Sequence, residues 1–291
     1  MRASRRATIW LCVFCAAALG AETITINQSR PLSKLALELQ QKYGYPVTYE
    51  EAPYDASALR TETRSNGSRY SSPSFEPVVF HVPDVAVGRT VSAGADRVPF
   101  GLPDVVMPLV KEYNGSGNPG TFTVFFEGGY AHIVPAGRVV SGKVVAFQPM
   151  LSTTVSFTSK GHSCSDTLDV LLAQIEGVRG VSIVQAAVPI GALLRHECTV
   201  VANALPAREV LAGILDQLGT GTGRADAKPR YSWALLYDSN TGKYFLSTML
   251  VPDLTDHPVA DSVQPGQDKP TAVVARPGSS RVATQVAAPR K

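Results

Sequence analysis

The chain has 291 residues, of which 44% are hydrophobic and 18% are charged. This composition excludes collagen, a coiled coil and wholesale disorder. The 27 Lys and Arg residues against 24 Asp and Glu residues give a net charge of +3, and several of the cations lie in the first six and last sixteen residues. Because no basic face large enough for nucleic acid remains, we expect no nucleic-acid binding.

The first twenty residues have the pattern of a secretory signal peptide. Arg2, Arg5 and Arg6 form a cationic start, an apolar stretch runs from Ile9 to Leu19, and cleavage is expected near Gly20. The mature protein is therefore predicted to be periplasmic or secreted. The apolar stretch is shorter than the roughly 20 residues that cross a bilayer, and no later segment is more apolar, so we expect no transmembrane segment in the mature chain.

The first part of the mature chain alternates between strand and helix periodicity, and it predicts a first α+β domain over residues 21–136. Residues 52–76 are rich in Ser, Pro, Asn, Gly and Arg, and they are predicted to form a long exposed loop. The other predicted elements are strands at 23–26, 46–50 and 77–82, helices at 31–43 and 102–113, and a hairpin across Gly128-Gly129. Pro108 is expected to kink the second helix or delay its start.

The second part repeats this order over residues 150–251. Its predicted elements are strands at 155–157, 181–184 and 198–201, a helix capped by Ser165 and stopped by Gly177, a helix from Pro206 to Gly219, and a hairpin over residues 239–242. We therefore predict an α+β fold of two similar β-α-β-β-α-β-β units, each a small sheet with two helices packed on it. Residues 252–291 contain six prolines and no aromatic residue, and they are predicted to be a disordered tail.

Two cysteines, Cys164 and Cys198, remain after the expected cleavage. An even pair in an exported chain favours a disulfide bond. In a split β-α-β unit the end of the first strand and the start of the third lie at the same edge of the sheet. Cys164 follows the first strand of the second unit and Cys198 opens its third, so topology also favours this bond.

The same cysteines suggest an alternative. Each sits in a His-x-Cys triplet, and residues i and i+2 of a strand point to one face. His162, Cys164, His196 and Cys198 could therefore supply a tetrahedral zinc set. Thiols in an oxidising compartment usually form disulfides, so the disulfide is favoured; no other metal site and no cofactor is predicted.

Catalytic motifs are not found. The segment 115–120 matches G-x-G-x-x-G, but it follows a helix and precedes a strand, which is opposite to the dinucleotide-binding arrangement. Glu50 and Glu51 are neighbours on a strand and should face opposite sides, so they do not form a carboxylate pair. His81 and His132 lie in predicted strands and could approach each other, although packed or surface histidines are the favoured interpretation.

Aromatic residues are densest between residues 43 and 75. Tyr45, Tyr54 and Tyr70 are candidate binding residues, because aromatic side chains give large contact area at low entropic cost. In the alternative interpretation, which we favour, Tyr43 and Tyr49 belong to the core and the other aromatic residues cover it.

Two stretches resemble the short secretin and TonB N-terminus domain, whose pattern is a strand, a Pro-Leu helix start, a Leu-rich helix, a glycine and a strand. The first consists of Thr25-Ile26, Arg30-Pro31-Leu32, Leu35, Leu39, Tyr43-Gly44-Tyr45 and Val47-Thr48-Tyr49; the second of residues 200–205, Val210-Leu211, Leu215 and residues 218–221. The resemblance implies periplasmic modules that contact other proteins and carry no catalysis.

These observations lead to two functional hypotheses. The first is an exported, non-enzymatic interaction module whose partner is an unknown envelope protein. The alternative is an exported hydrolase with dispersed catalytic residues that the sequence does not reveal. An exposed sheet edge would favour the module, and polar residues meeting in a deep pocket, such as His81 with His132, would favour the enzyme.

Overall fold

The computed structural model describes residues 22–54, 59–63, 69–73, 75–83, 101–218 and 230–252. The predicted signal peptide and almost all of the predicted tail lie outside these residues, so both stay predictions. In the described part of the chain, no helix has the length and apolar character that crossing a membrane requires.

The fold is α+β, as predicted. In the first half of the chain the elements are β1 (Glu22–Ile26), α1 (Pro31–Tyr43), β2 (Val47–Glu50), β3 (Leu59–Thr63), β4 (Arg69–Pro73), β5 (Val78–Val82), α2 (Leu102–Gly115), β6 (Thr121–Glu127), β7 (Tyr130–Val140) and β8 (Lys143–Ala146). After a 3-10 turn at Met150–Ser152, the second half contains β9 (Thr154–Ser163), α3 (Cys164–Arg179), β10 (Ile183–Gln185), α4 (Ile190–Arg195), β11 (Glu197–Pro206), α5 (Ala207–Leu218), β12 (Arg230–Asp238) and β13 (Lys243–Val251).

The helix ends follow local chemistry, with some differences from the predictions. α1 begins at Pro31 and ends at Tyr43, and its C-cap is Gly44, whose φ of 65° lies in the left-handed region that glycine tolerates. α2 begins at Leu102 and continues through Pro108. The N-cap of α3 is Ser163, which accepts a hydrogen bond from the Asp166 N–H, rather than Ser165. This helix also continues past Gly177 to Arg179, and its C-cap is Gly180, which has a left-handed backbone conformation.

Two predictions about strands are wrong. Residues 59–73, within the predicted loop, contain the antiparallel β3–β4 hairpin. A split β-α-β unit also requires its first two strands to run parallel in one sheet, but β9 pairs with β11 in antiparallel fashion, and β10 pairs with β13 in parallel in a different sheet. A short polar strand carries too little apolar periodicity to be recognised from sequence, and strand partners depend on contacts distant in the chain.

The strand pairings of the two halves correspond to one another. β1 pairs with β5 as β9 pairs with β11, in separate two-stranded sheets. β2 lies parallel to β7, the second strand of the β6–β7 hairpin, and β10 lies parallel to β13, the second strand of the β12–β13 hairpin. A single parallel pairing, β12 with β2, then joins both sets into one sheet of order β10-β13-β12-β2-β7-β6, to which β8 adds beside β7.

The two halves have separate hydrophobic cores. The first core contains the buried faces of α1 and α2, and the second contains those of α3 and α5. Along β12, Trp233 and Leu235 belong to the second core while Ala234 belongs to the first. Because side chains alternate between the faces of a strand, the two cores cover opposite faces of the shared sheet.

The described residues of both predicted domains lie in one compact unit. Strands from both sides of the predicted boundary between residues 136 and 150 pair within the same sheet. These observations give no boundary between residues 136 and 150, so the domain limits proposed from the sequence stay a prediction.

Candidate functional site

The most polar buried region lies where β2 meets β12, and we call it the inter-half joint. Tyr49 pairs with Ala234 and Glu50 with Leu235 in the strand register. The ladder continues one residue further, because the Glu51 N–H donates to the Leu235 carbonyl at 2.9 Å. Two consecutive carboxylates thus enter the interior at the only sheet pairing that connects the halves in the described part of the chain.

Glu50 forms a buried ion pair with Arg208, which lies in the first turn of α5. Arg208 Nη2 is 2.9 Å from Glu50 Oε2, and the two side chains are only 8% and 2% exposed. The other carboxylate oxygen accepts the backbone N–H of Leu151 at 3.1 Å, and the guanidinium lies 4.8 Å from the ring centroid of Phe125. Burial raises the pKa of the Glu50 carboxyl, and Arg208 partly opposes this effect.

Glu51 forms the second ion pair, with Arg30. Arg30 Nε lies 3.0 Å from both carboxylate oxygens. The carboxylate also accepts the Tyr54 hydroxyl at 2.6 Å and the Tyr237 N–H at 2.8 Å, while Arg30 Nη2 donates to the Tyr237 carbonyl at 2.7 Å. Burial again raises the pKa of the carboxyl, against the opposing effect of Arg30.

Arg30 adopts a backbone conformation that is rare for its residue type. Its φ of 60° and ψ of 60° lie in the left-handed region, which costs roughly 1–2 kcal/mol in a residue with a side chain. Charge-assisted hydrogen bonds are the strong ones, and those of Arg30 with Glu51 offset this cost.

His132 lies on β7 in a buried aromatic cluster next to the joint. Its Nδ1 is 2.8 Å from the Thr48 hydroxyl, and its ring is 4.8 Å from Phe125 and 5.5 Å from Trp233 between centroids. Burial, followed by the charge of Arg208, lowers the pKa of His132 to about 3. The ring is therefore neutral at physiological pH, and its basicity is too low for efficient general-base catalysis there.

The structure gives the two candidate histidines different surroundings. His81 is exposed on β5, where its Nδ1 lies 3.1 Å from Glu112 Oε1. His132 is buried in the long sheet. Their strands belong to separate sheets, and each histidine has a different polar partner. His81 and His132 therefore do not form the polar pair that would have favoured an enzyme.

Cys164 and Cys198 form the predicted disulfide bond, with Cα atoms 4.7 Å apart. The bond ties the start of α3 to β11, and the Cys164 N–H donates to the His196 carbonyl at 2.8 Å. Neither sulfur is free to bind zinc while this bond exists, and His162 lies exposed on β9. In the described residues no group of three or more metal-binding side chains comes together.

The candidate binding tyrosines do not form one surface. Tyr45 is 1% exposed and belongs to the first core, so the prediction that it offers a binding surface is wrong. Tyr54 uses its hydroxyl on Glu51 and packs edge-on against Phe75 at 5.9 Å. The side chain of Tyr70 lies outside the described residues.

Sequence reasoning missed the roles of Arg30 and Arg208. It correctly placed Glu50 and Glu51 on opposite faces, since each meets a different arginine from a different helix start. The signal that was available is two adjacent acidic residues directly after the apolar strand pattern of β2. Charged residues are almost never fully buried unless they are paired, so this position calls for cationic partners, but nothing local identifies which ones.

Each carboxylate of the joint is closed by an arginine and by N–H or O–H donors, which leaves little capacity to bind substrate. The arrangement fixes how the two halves are oriented. Comparisons with family models, with curated proteins and with solved structures give no match to this chain. The resemblance to the short secretin and TonB N-terminus domain therefore rests on the sequence pattern.

Proposed function

We propose that the protein is an exported, non-enzymatic interaction module made of two units of the short secretin and TonB N-terminus type. The observation that carries this proposal is the state of the buried ionisable groups. Glu50 and Glu51 are each closed by an arginine, and His132 is held neutral among aromatic rings. Groups in these states stabilise an architecture and are poorly suited to transferring protons.

The correspondence of the strand pairings supports the proposed duplication. Each half has a two-stranded antiparallel sheet, two longer helices and a hairpin whose second strand accepts a parallel neighbour. This order is the β-α-β-β-α-β-β pattern proposed from the sequence, once the β3–β4 hairpin, β8 and α4 are treated as insertions. The proposed export rests on the signal pattern alone, and the partner is an envelope protein of unknown identity.

Exposed apolar side chains on several elements provide places for such a partner. Met107 on α2, Val144 on β8 and Val201 on the outer face of β11 are each more than half exposed. These positions lie on three different elements, which makes them suitable reporters of where a partner docks.

The test introduces a photo-reactive phenylalanine derivative at Met107, Val144 or Val201, one position at a time, in cells that export the protein. Irradiation is expected to give a discrete cross-link to a different envelope protein at one position, with the other positions serving as matched controls. If no position gives a cross-link to a different protein, the proposal is overturned. Hydrolysis of an ester, peptide or glycoside by the purified chain, abolished in His132→Gln, would instead support the enzyme.

A further inference from the structure

The strands β2 and β10 occupy equivalent places beside their hairpins. The Ala131 N–H donates to the Pro46 carbonyl at 3.0 Å, and the Tyr244 N–H donates to the Ser182 carbonyl at 2.9 Å. In both cases the acceptor lies directly before the strand begins. The register is then the same residue by residue, so β2 corresponds to β10 and the outer hairpin strand β6 corresponds to β12.

This correspondence means that the chain contains two matching pairs of strand edges, and that only one pair is joined inside the molecule. Inside the chain, the outer edge of β2 pairs with the outer edge of β12. Their equivalents, β10 and β6, are the two end strands of the long sheet in the described part of the chain. Each end strand therefore carries the edge that would complement the other one.

We propose that β10 of one copy of this chain pairs in parallel with β6 of a second copy, so that the β2–β12 joint is repeated between molecules. The pairing of Tyr49 with Ala234 inside the chain then places Gln185 of one copy opposite Thr123 of the next. The occupant of the edge is a second copy of the chain. This inference is independent of the proposed function, which concerns a partner of different sequence.

The strand directions fit this head-to-tail arrangement. β10 is parallel to β13, β13 is antiparallel to β12, β12 is parallel to β2 and to β7 beyond it, and β7 is antiparallel to β6. The two end strands therefore run in the same direction. A copy shifted along the sheet brings β6 beside β10 in parallel, whereas a two-fold axis perpendicular to the sheet would pair β6 with β6 in antiparallel fashion.

The backbone parity of the edges also fits. At the joint, Leu235 and Tyr237 present their backbone groups to the neighbouring β2 side, since they bond Glu51 and Arg30. Their equivalents on β6 are Val124 and Phe126, which follow the same alternation in the hairpin register. An edge strand that has no second strand partner among the described residues is a template for pairing with another chain, and β6 contains neither Lys nor Pro.

The side chains beside the β10 edge favour burial by a neighbouring molecule. Thr48 of β2 pairs with His132 of β7 next to the joint, where both are buried. The equivalent pair at the free end is Val184 with Phe245; Val184 is 36% exposed and Phe245 is partly exposed. Apolar residues thus occupy positions that a neighbouring half covers at the joint, and covering them removes apolar surface from water.

The joint between copies would leave no buried charge without a partner. Ala186 and Ala187 follow Gln185 as Glu50 and Glu51 follow Tyr49 in the chain, although the Ala187 carbonyl accepts the Thr248 N–H of its own hairpin at 2.8 Å. Small apolar residues enter the interface where the internal joint requires two ion pairs, so the interface between copies needs no arginine. A head-to-tail interface of this kind generates a closed ring or an open filament rather than a two-fold dimer.

Cysteine cross-linking tests the proposed register. The full chain would carry Cys12→Ser and Cys15→Ser, so that an introduced cysteine is the only unpaired thiol, in combination with either Thr123→Cys or Gln185→Cys. A mixture of the two variants is expected to give a disulfide-linked dimer under mild oxidation, and neither variant alone should do so. No dimer in the mixture of folded proteins would overturn the proposal, as would a dimer formed by Thr123→Cys alone.

A second measurement uses the chain without added cysteines. Val184→Lys should weaken concentration-dependent association at least tenfold in light scattering or sedimentation. Val178→Lys is the matched control, because Val178 is a 65% exposed valine on α3 rather than on the strand β10, and it should leave association unchanged. Equal association of both variants would overturn the proposal. A cross-link from Val201 to a different envelope protein would be unaffected, so failure here is distinct from failure of the proposed function.

Discussion

Glu50 and Arg208 form an ion pair of 2.9 Å although 158 positions separate them in the chain. Glu50 belongs to a strand of the first half and Arg208 to a helix of the second, and both are almost completely buried. Together with the hydrogen bonds of Glu51 and Arg30 to the Tyr237 backbone on the opposite face, this pair holds the halves together at a joint whose strand register contains only two residue pairs. The stability of the fold should therefore depend strongly on these contacts.

Glu50→Gln should destabilise the protein by about 3–5 kcal/mol, because it leaves the Arg208 charge buried without its counter-charge. The double variant Glu50→Gln with Arg208→Met should recover part of this loss, since it removes both charges. The free energy of unfolding in urea measures both effects. Glu112→Gln, at the exposed pair with His81, is the control and should cost at most about 1 kcal/mol. Equal losses for Glu50→Gln and Glu112→Gln would contradict the importance of the joint.

Acid should destabilise the protein through His132. Its pKa is about 3 in the folded state against 6.5 for an unperturbed histidine, so the unfolded chain binds the proton more tightly. The contribution of the neutral His132 to the free energy of unfolding is then fully present above pH 6.5, and it is lost as the pH falls from 6.5 towards 3. The loss from this residue between pH 7.5 and 4.5 should be about 2–3 kcal/mol.

The raised pKa values of Glu50 and Glu51 act in the opposite direction, because they favour the folded state on acidification. Both carboxyls are present in wild type and in His132→Phe, so the difference between the two proteins isolates the effect of His132. Urea unfolding of both proteins at the two pH values should show a smaller acid loss for the variant. His81→Gln, at the exposed histidine, should behave as wild type. An unchanged acid loss in His132→Phe would reject the assignment.

Removing the disulfide with Cys164→Ala and Cys198→Ala should cost roughly 3–4 kcal/mol, because the bond closes a loop of about 35 residues in the unfolded chain. Both cysteines are fully buried, so reduction of the disulfide bond should require partial unfolding. Thiol titration of denatured, unreduced protein should find Cys164 and Cys198 oxidised. Free thiols at both positions together with bound zinc would support the alternative His162, Cys164, His196 and Cys198 site.

Gly137→Ala should destabilise the protein by about 1–3 kcal/mol through overpacking. A Cβ at this position would lie 2.7 Å from the Thr121 hydroxyl and 2.8 Å from a methyl group of Val144. Gly213→Ala is the matched control: Gly213 lies inside α5 with open space around the added methyl group, and this change should stabilise the helix by up to about 1 kcal/mol. Thermal unfolding of the two variants should therefore shift in opposite directions.

The signal pattern predicts that the exported protein begins at Ala21. N-terminal sequencing of protein recovered from the periplasm or medium checks this position. Exported material that still begins at Met1 would reject the predicted cleavage, and material retained inside the cell would reject the predicted location.

Local sequence determined several elements of the fold. Pro31 and Gly44 enclose α1 because proline suits a first helical turn and glycine a left-handed cap. Gly128 and Gly129 form the predicted hairpin turn, with φ values of 55° and 77°. The Cys164–Cys198 bond was also predicted, because compartment and pairing restrict the possibilities for two cysteines. These features depend on neighbouring residues or on simple counting.

Only the tertiary structure decided the joint between the halves. The sequence placed Glu50 and Glu51 on opposite faces of a strand, but it did not indicate that both faces are covered or that Arg208 and Arg30 meet them. The burial of Tyr45, proposed as a binding residue, was decided in the same way. Pairing of β2 with β12 depends on packing two distant cores against one sheet, and such non-local contacts leave no periodic signal in the residues that make them.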